Sequence, residues 1–218
     1  MCIVSFYHLN NQVVLTHSRD EAIDRKASSE IEEHILNDKK YYAPVDKLKN
    51  GTWIFYSEEY MACILNGGKT KPIELKSHYK KSRGIVLLSL LNYDNVQEFI
   101  AKENLEDIAP FTMFVYERKL KKSFLLFWDE KTLEVNELID EKFIFRASST
   151  LYSFNKMTEL ENIFPTFNTT SPEEIFNVHL QVKMNDGDVA IGKATTSITQ
   201  IMANDSLTEM KYCPIING

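Results

Sequence analysis

The first twenty residues form two apolar-rich runs with a polar break between them. Residues 2–9 and residues 12–18 are rich in β-branched and aromatic side chains, and Asn10 and Asn11 separate the two runs. Asparagine tolerates a positive φ, so this pattern is typical of a β-hairpin with a two-residue turn. We therefore predict that the chain begins with two paired antiparallel strands.

Later apolar runs alternate between a strand period and a helical period, with turn residues between them. Residues 22–50 are polar, and we expect an irregular excursion there with one short helix near residues 30–36. Ser171, Pro172 and Glu174 form a capping-box pattern that marks a helix start. The predicted strands are residues 52–56, 61–65, 111–117, 123–128, 133–138, 143–147, 195–202 and 209–213, and the predicted helices are residues 85–91, 96–102, 153–164 and 173–182.

Strands and helices occur in segregated groups: a β-rich start, a helix pair, a second β-rich stretch, a second helix pair and closing strands. This order favours an α+β fold with mostly antiparallel sheets. Two sheets packed together, with the helices outside, use all of these elements. A chain of 218 residues is long enough to form this fold once, so we predict a single domain over residues 1–218.

Composition and charge exclude several classes of function. The formal net charge of −6 is spread along the chain, without the basic stripe that nucleic-acid binding needs. No apolar run is long enough to cross a membrane, and the N-terminus lacks a secretory signal pattern. The three cysteines and five histidines show no metal-ligand or redox spacing. We therefore expect a cytoplasmic protein with no nucleic-acid partner, no membrane span, no metal and no cofactor.

The hairpin brings chemically useful side chains together at its open end. With the two asparagines as the turn, Cys2 lies directly opposite Arg19, and Asp20 lies opposite Met1. Directly opposed Cβ atoms are about 4.5–5.5 Å apart. A guanidinium at that distance stabilises a thiolate and lowers the pKa of a cysteine thiol. A register slip of one residue would put Arg19 on the other face of the sheet, so the site depends on the predicted turn.

Removal of Met1 would give Cys2 a second chemical role. Methionine aminopeptidases remove Met1 when the next side chain is small, and the mature chain then begins with both a thiol and a free α-amine. An α-amine has a reference pKa of about 7.7–8.0 and is a usable base near neutral pH. Asp20 is then placed to hold the α-ammonium group. Two alternatives stay open: His17 is the base if Met1 is retained, or Cys2 is simply a small buried hydrophobe.

Four short segments carry recognisable motifs. They are Ser-Arg-Asp-Glu at residues 18–21, Gly-Thr-Trp-Ile at 51–54, Met-Ala-Cys-Ile-Leu-Asn at 61–66 and Arg-Ala-Ser-Ser-Thr-Leu at 146–151. In order and spacing they resemble the Asn-Arg-Asp-Glu, Gly-Thr-Trp-Leu, Ala-Ala-Leu-Thr-Asn and Gly-Leu-Ser-Asn-Ala-Leu segments of the NRDE family, also called transport and Golgi organisation 2. Ser18 departs from the first of these motifs. The resemblance covers most of the chain.

The NRDE family in turn resembles the N-terminal-nucleophile hydrolases, especially the choloylglycine hydrolase group. That resemblance implies a four-layer αββα sandwich. It also implies that Cys2 is the nucleophile, Arg19 its cationic neighbour and Asp20 the acid near the amine. By the same resemblance, Asn66 donates its side-chain NH₂ to a developing oxyanion, a contact whose removal costs about 3–4 kcal/mol in other enzymes.

Three further positions are candidate binding residues, two of them by the same resemblance. Ser148 and Ser149 stand where the hydrolases have a second asparagine, and Lys193 is the nearest candidate for their late arginine. Lysine is a poor substitute for arginine in a bidentate contact. Trp53 belongs to the aromatic residues that can line a ligand pocket. We keep Trp53, Ser149 and Lys193 as candidates and note that half of the implied polar machinery is altered.

Two functions of different classes remain open. The first is an amidase-like enzyme in which Cys2 attacks a non-peptide C–N amide bond through an acyl-enzyme intermediate. The second is a non-catalytic carrier of a hydrophobic small molecule or haem; members of the NRDE family are linked to haem handling and lipid metabolism. An enzyme needs a free Cys2 amine and a reactive thiolate, whereas a carrier with Cys2→Ala still binds its ligand.

Overall fold

Two antiparallel β-sheets and four α-helices make up the described part of the chain, so the predicted α+β fold is confirmed. The chain divides into two units, the first formed by Met1–Lys26 with Asp140–Gly218 and the second by Ala27–Ile139. Each unit contains one sheet, while the single domain and the four-layer stacking stay predictions. The computed structural model describes residues 2–70, 74–164, 170–184 and 192–215.

The elements are numbered in chain order. The strands are β1 (Cys2–His8), β2 (Val13–Ala22), β3 (Glu32–Leu36), β4 (Lys39–Ala43), β5 (Ile54–Ser57), β6 (Tyr60–Asn66), β7 (Phe111–Glu117), β8 (Lys122–Trp128), β9 (Leu133–Leu138), β10 (Phe143–Ala147), β11 (Lys193–Ala203) and β12 (Thr208–Pro214). The helices are α1 (Arg83–Leu88), α2 (Val96–Lys102), α3 (Phe154–Glu161) and α4 (Pro172–Gln181), and a 3₁₀ turn at Ser89–Asn92 follows α1. None of the helices in the described ranges is long and apolar enough to span a membrane.

The first sheet has the strand order β10-β1-β2-β11-β12, so β2 lies at its centre. The predicted hairpin register is confirmed, because Cys2 pairs with Arg19 and the Leu9 N–H donates to the Gln12 carbonyl at 2.9 Å. Neither of the two turn asparagines has a positive φ, so the turn is not the type I′ form that this pair favours. The register therefore follows from the two-residue length of the turn.

One face of the first sheet packs against α3 and α4. Its apolar cluster contains Ile3, Val14 and Phe145 from the strands, Leu160 from α3 and Ile175 from α4. Full burial of side chains of this size contributes about 1.5–3 kcal/mol each. The predicted capping box at the start of α4 is confirmed, which fixes where this helix begins over β2 and β11.

The second sheet has the order β3-β4-β5-β6-β7-β8-β9, with consecutive strands paired antiparallel throughout. The strands predicted at residues 111–117, 123–128 and 133–138 are confirmed as β7, β8 and β9, which pair in sequence, while β10 joins the first sheet. One face packs against α1 and α2 through a cluster that includes Phe55, Ile64, Val86, Phe99 and Met113. Both faces of β6 and β7 are buried, and alternate residues such as Ile64 and Met113 lie on the face that packs against these helices.

Two glycines allow the segment before β5 to cross the start of α1 at close range. A Cβ on Gly84 would lie 2.6 Å from the Thr52 carbonyl oxygen, and a Cβ on Gly51 would lie 2.8 Å from the Gly84 carbonyl carbon. No side chain fits at those distances, so both positions require glycine. The crossing explains the glycine of the Gly-Thr-Trp motif as a packing requirement.

The predicted helix near residues 30–36 is wrong, because β3 occupies Glu32–Leu36. Its glutamates favour a helix, but Asn37 and Asp38 have φ values of 49° and 61° and join β3 to β4. A two-residue turn with positive φ at both positions is the type I′ hairpin turn. The turn therefore decides the structure of this segment against the local helix preference.

Candidate functional site

Cys2, Arg19 and Asp20 lie together at one end of the hairpin, as the sequence predicts. Cys2 is directly opposite Arg19, so their side chains share one face of the first sheet. All three residues are buried, with 3% of Cys2, 3% of Arg19 and 0% of Asp20 exposed. The backbone N–H of Asp20 also donates to the Cys2 sulfur. The predicted juxtaposition is confirmed, and its chemical role stays a prediction.

A β-bulge on the neighbouring strand supplies polar contacts to this site. Thr195 of β11 pairs with Asp20 and Ser197 pairs with Arg19, so Thr196 is the extra residue between the two pairs. The Thr196 hydroxyl accepts a hydrogen bond from the Arg19 guanidinium at 2.9 Å and donates to the Arg19 carbonyl at 3.1 Å. Bulges often re-aim side chains beside active sites, and this one directs two consecutive hydroxyls at two consecutive site residues.

Each carboxylate oxygen of Asp20 accepts a hydrogen bond from a different hydroxyl group. Thr195 Oγ1 lies 2.6 Å from Oδ1, and Tyr152 Oη lies 2.8 Å from Oδ2. Burial raises the pKa of Asp20 to about 6, although both hydroxyl donors act to lower it. Asp20 therefore changes its charge close to neutral pH, which suits a group that binds or releases a cation.

The Cys2 thiol is a weak acid in this arrangement. Burial raises the pKa of the thiol above its ordinary value, and the Asp20 carboxylate adds to the increase. The Arg19 guanidinium donates to Thr196 and to the Arg25 carbonyl, at 2.9 Å and 3.2 Å. The net effect on the thiol pKa is thus opposite to the one expected from Arg19 alone. A reaction of Cys2 in this setting requires a base that removes the thiol proton.

The opposite face of the same strands carries a buried imidazole. His179 of α4 lies between two serines of the hairpin, with Ser5 Oγ 2.8 Å from Nε2 and Ser18 Oγ 2.7 Å from Nδ1. One ring nitrogen is protonated in the neutral form, so one serine accepts and the other donates. Burial lowers the pKa of His179 to about 3, so the ring is neutral at pH 7. Ser18, which stands where the Asn-Arg-Asp-Glu signature has asparagine, therefore has a specific partner in His179.

The other candidates of the first unit lie in the turn after β10 and at the start of β11. The Ser148 N–H donates to the Cys2 carbonyl at 2.8 Å, which ties the turn after β10 to β1. Ser149 follows in that turn and is buried. Lys193 is the first residue of β11 and pairs with Ala22. The binding roles of Ser149 and Lys193 stay predictions.

Asn66 and Trp53 belong to the second unit. Asn66 is the last residue of β6 and pairs with Phe111, and the chain then turns at Gly67 with a φ of 88°. Trp53 is buried, and its carbonyl accepts the Ile64 N–H at 2.9 Å. Their roles as oxyanion donor and pocket residue stay predictions. Within the described ranges, no group of three or more His, Cys, Asp or Glu side chains is placed to hold a metal ion.

Sequence reasoning missed Tyr152, Thr195, Thr196 and His179. Tyr152 and Thr195 meet Asp20 across 132 and 175 chain positions, and His179 meets Ser18 across 161. No local motif marks such distant partners. The capping box of α4 was the one available signal, because it fixed the helix that carries His179.

Comparison with known families agrees with these motifs. The family model described as transport and Golgi organisation 2 matches residues 1–211 of the chain. No curated protein matches the chain. The match begins with the hairpin that carries Cys2, Arg19 and Asp20 and runs through β11, so it spans every residue of the site described above.

Proposed function

Because this chain belongs to the transport and Golgi organisation 2 family, we propose that it is an N-terminal-nucleophile amidohydrolase that cleaves a non-peptide C–N amide bond. The observation that supports the proposal is the pairing of Cys2 with Arg19 beside the buried carboxylate of Asp20. A thiol, a fixed cation and a carboxylate that ionises near neutral pH are the groups that an N-terminal cysteine nucleophile uses.

The reaction begins after Met1 has been removed from the chain. The free α-amine of Cys2 takes the thiol proton, and the sulfur attacks the amide carbon to form a C–S bond. An oxyanion develops on the amide oxygen and collapses, and the α-ammonium returns its proton to the leaving amine as the C–N bond breaks. Water then hydrolyses the thioester, releases the carboxylic acid and restores the thiol.

The remaining residues of the site keep the charges in place. The Asp20 carboxylate binds the α-ammonium group that forms when the amine takes the proton, and Arg19 stabilises negative charge at the sulfur. The raised pKa of the buried Cys2 thiol fits a mechanism with its own base, because little thiolate forms in advance. The three cysteines are free thiols. This agrees with the cytoplasmic location that we propose, because the cytoplasm keeps thiols reduced.

A panel of fluorogenic N-acyl amides tests this proposal. We expect release of the amine and, under rapid quenching, an acyl adduct on the peptide that begins with Cys2. Cys2→Ala should abolish both signals, and Cys213→Ala, which removes a partly exposed free thiol, should change neither. Turnover that persists in the Cys2→Ala variant would refute the proposal.

A second candidate is a carrier of a hydrophobic small molecule or haem on the same fold. The burial of Cys2, which is only 3% exposed, favours this alternative, because a carrier needs no accessible nucleophile. Titration of haem and of fatty-acyl probes into the wild-type protein and the Cys2→Ala variant separates the two functions. Equal affinity in both proteins, together with no amide turnover, would support the carrier.

A further inference from the structure

The hydrogen-bond direction at Asp20 is determined by the surrounding backbone. Thr195 Oγ1 accepts the Met184 N–H at 2.8 Å, so its own hydrogen points at Asp20 Oδ1. Burial and the neighbouring Asp20 charge both raise the pKa of Tyr152, so this phenol stays protonated and donates to Oδ2. Both contacts are therefore hydroxyl groups donating to a carboxylate, which is the stronger, charge-assisted class of hydrogen bond.

The two donors come from separate elements, each connected to the site. Thr195 sits at the bulge of β11, where its backbone N–H also donates to the Met184 carbonyl at 3.0 Å. Tyr152 follows β10, and its N–H donates to the Ser148 carbonyl at 3.0 Å. The N–H of the same Ser148 donates to the Cys2 carbonyl at 2.8 Å. One turn thus connects the start of β1 to the hydroxyl that holds Asp20.

A carboxylate in this position needs such support to stay charged. Asp20 is 0% exposed, and burial by itself favours the neutral acid. A neutral acid does not balance the charge of an ammonium group. The two hydroxyl donors favour the ionised form and hold both oxygens in fixed positions, so they determine whether Asp20 has a charge and where that charge lies.

We propose that Tyr152 and Thr195 are positioning residues, which keep the Asp20 carboxylate ionised and aimed at the start of the mature chain. This inference rests on the proposed function, because it gives Asp20 the task of binding the α-ammonium of Cys2. Tyr152 and Thr195 touch neither substrate nor nucleophile in this role. They act through Asp20.

Carboxyl ¹³C NMR of aspartate-labelled protein measures the effect directly. The Asp20 signal is identified by its loss in Asp20→Asn, and its titration midpoint is compared among variants. We expect Tyr152→Phe and Thr195→Val each to raise the midpoint by about one to two pH units, because each removes a hydrogen bond to the charged form. Thr195→Ser keeps the hydroxyl and should return the midpoint to that of the wild type.

Tyr79→Phe is the matched control, because the Tyr79 hydroxyl donates to Glu130 at the same 2.8 Å in the second unit. It should leave the Asp20 midpoint unchanged. The second measurement is the pH profile of alkylation at Cys2, which we expect to shift together with the Asp20 midpoint. A merely structural role would change stability without moving either curve.

The outcomes separate this inference from the proposed function. An Asp20 midpoint that stays in place in both Tyr152→Phe and Thr195→Val would overturn the inference, as would a Cys2 profile that does not follow a shifted midpoint. If both curves shift and the wild-type protein turns over no amide, the inference stands and only the amidase proposal fails.

Discussion

Protonation of His179 should destabilise the protein in mildly acidic solution. The ring is 0% exposed, and its burial disfavours the charged, doubly protonated form. Its pKa falls from the ordinary 6.5 to about 3 in the folded state. The unfolded chain therefore binds more protons between these values, and stability is lost as the pH falls below about 6.5.

The size of this effect follows from the two pKa values. Between pH 7.5 and pH 5, protonation of His179 in the unfolded state lowers the free energy of unfolding by about 2 kcal/mol. Asp20 contributes with the opposite sign, because its pKa is raised from 3.8 to about 6 and the folded state binds more protons. That contribution stabilises the folded protein by about 1 kcal/mol over the same range. A comparison of variants is needed to separate the two groups.

Urea unfolding at pH 7.5 and pH 5, followed by tryptophan fluorescence, isolates the contribution of His179. A His179→Gln variant keeps a hydrogen-bonding side chain that does not titrate. We expect this variant to lose about 2 kcal/mol less than the wild type between the two pH values. His78→Gln, at an exposed histidine, should behave as the wild type. An identical pH dependence in the wild type and His179→Gln would refute the reasoning.

Three further substitutions test the contacts around the site by urea or thermal unfolding. Thr196→Val removes both hydrogen bonds to Arg19 and should cost about 1–3 kcal/mol, with Thr196→Ser close to the wild type; equal stability of the valine variant would contradict the role of the bulge. Ser18→Asn restores the family signature but crowds His179 in a site that is 1% exposed, so it should cost about 1–3 kcal/mol. When His179→Ala is combined with Ser18→Asn in one chain, it should recover part of that loss. Strict additivity of the two changes would contradict the crowding of His179 by the asparagine. Gly84→Ala places a Cβ 2.6 Å from the Thr52 oxygen and should lower the melting temperature by several degrees; an unchanged value would contradict the close crossing.

The sequence was sufficient to predict the part of the site that depends on the strand register of the first hairpin. A two-residue turn puts Cys2 opposite Arg19 whichever turn type forms, and the structure has that register although its asparagines avoid positive φ. The contacts of Asp20 with Tyr152 and Thr195 were not predictable, because they depend on how distant strands pair and where a bulge falls. The local sequence pattern is enough to predict which residues pair within one hairpin, whereas the contacts between distant segments depend on tertiary packing.

The same limit explains the misread segment before β4. The pair Asn37 and Asp38 carries the turn signal that was used for the first hairpin, yet the neighbouring glutamates favoured a helix. Strand pairing satisfies the backbone along β4, and this outweighs an intrinsic helix preference of a few tenths of a kcal/mol per residue. In this chain, turn residues were therefore a better guide than composition.

Brief treatment with a limiting thiol alkylator near pH 7, followed by intact and peptide-mapped mass analysis, tests the central claim most directly. We expect Met1 to be absent and Cys2 to react faster than Cys213, because the freed α-amine takes the thiol proton of Cys2, although Cys213 is the more exposed thiol. Retention of Met1, or a Cys2 that reacts no faster than Cys213, would contradict the N-terminal-nucleophile mechanism and leave the carrier as the function of this fold.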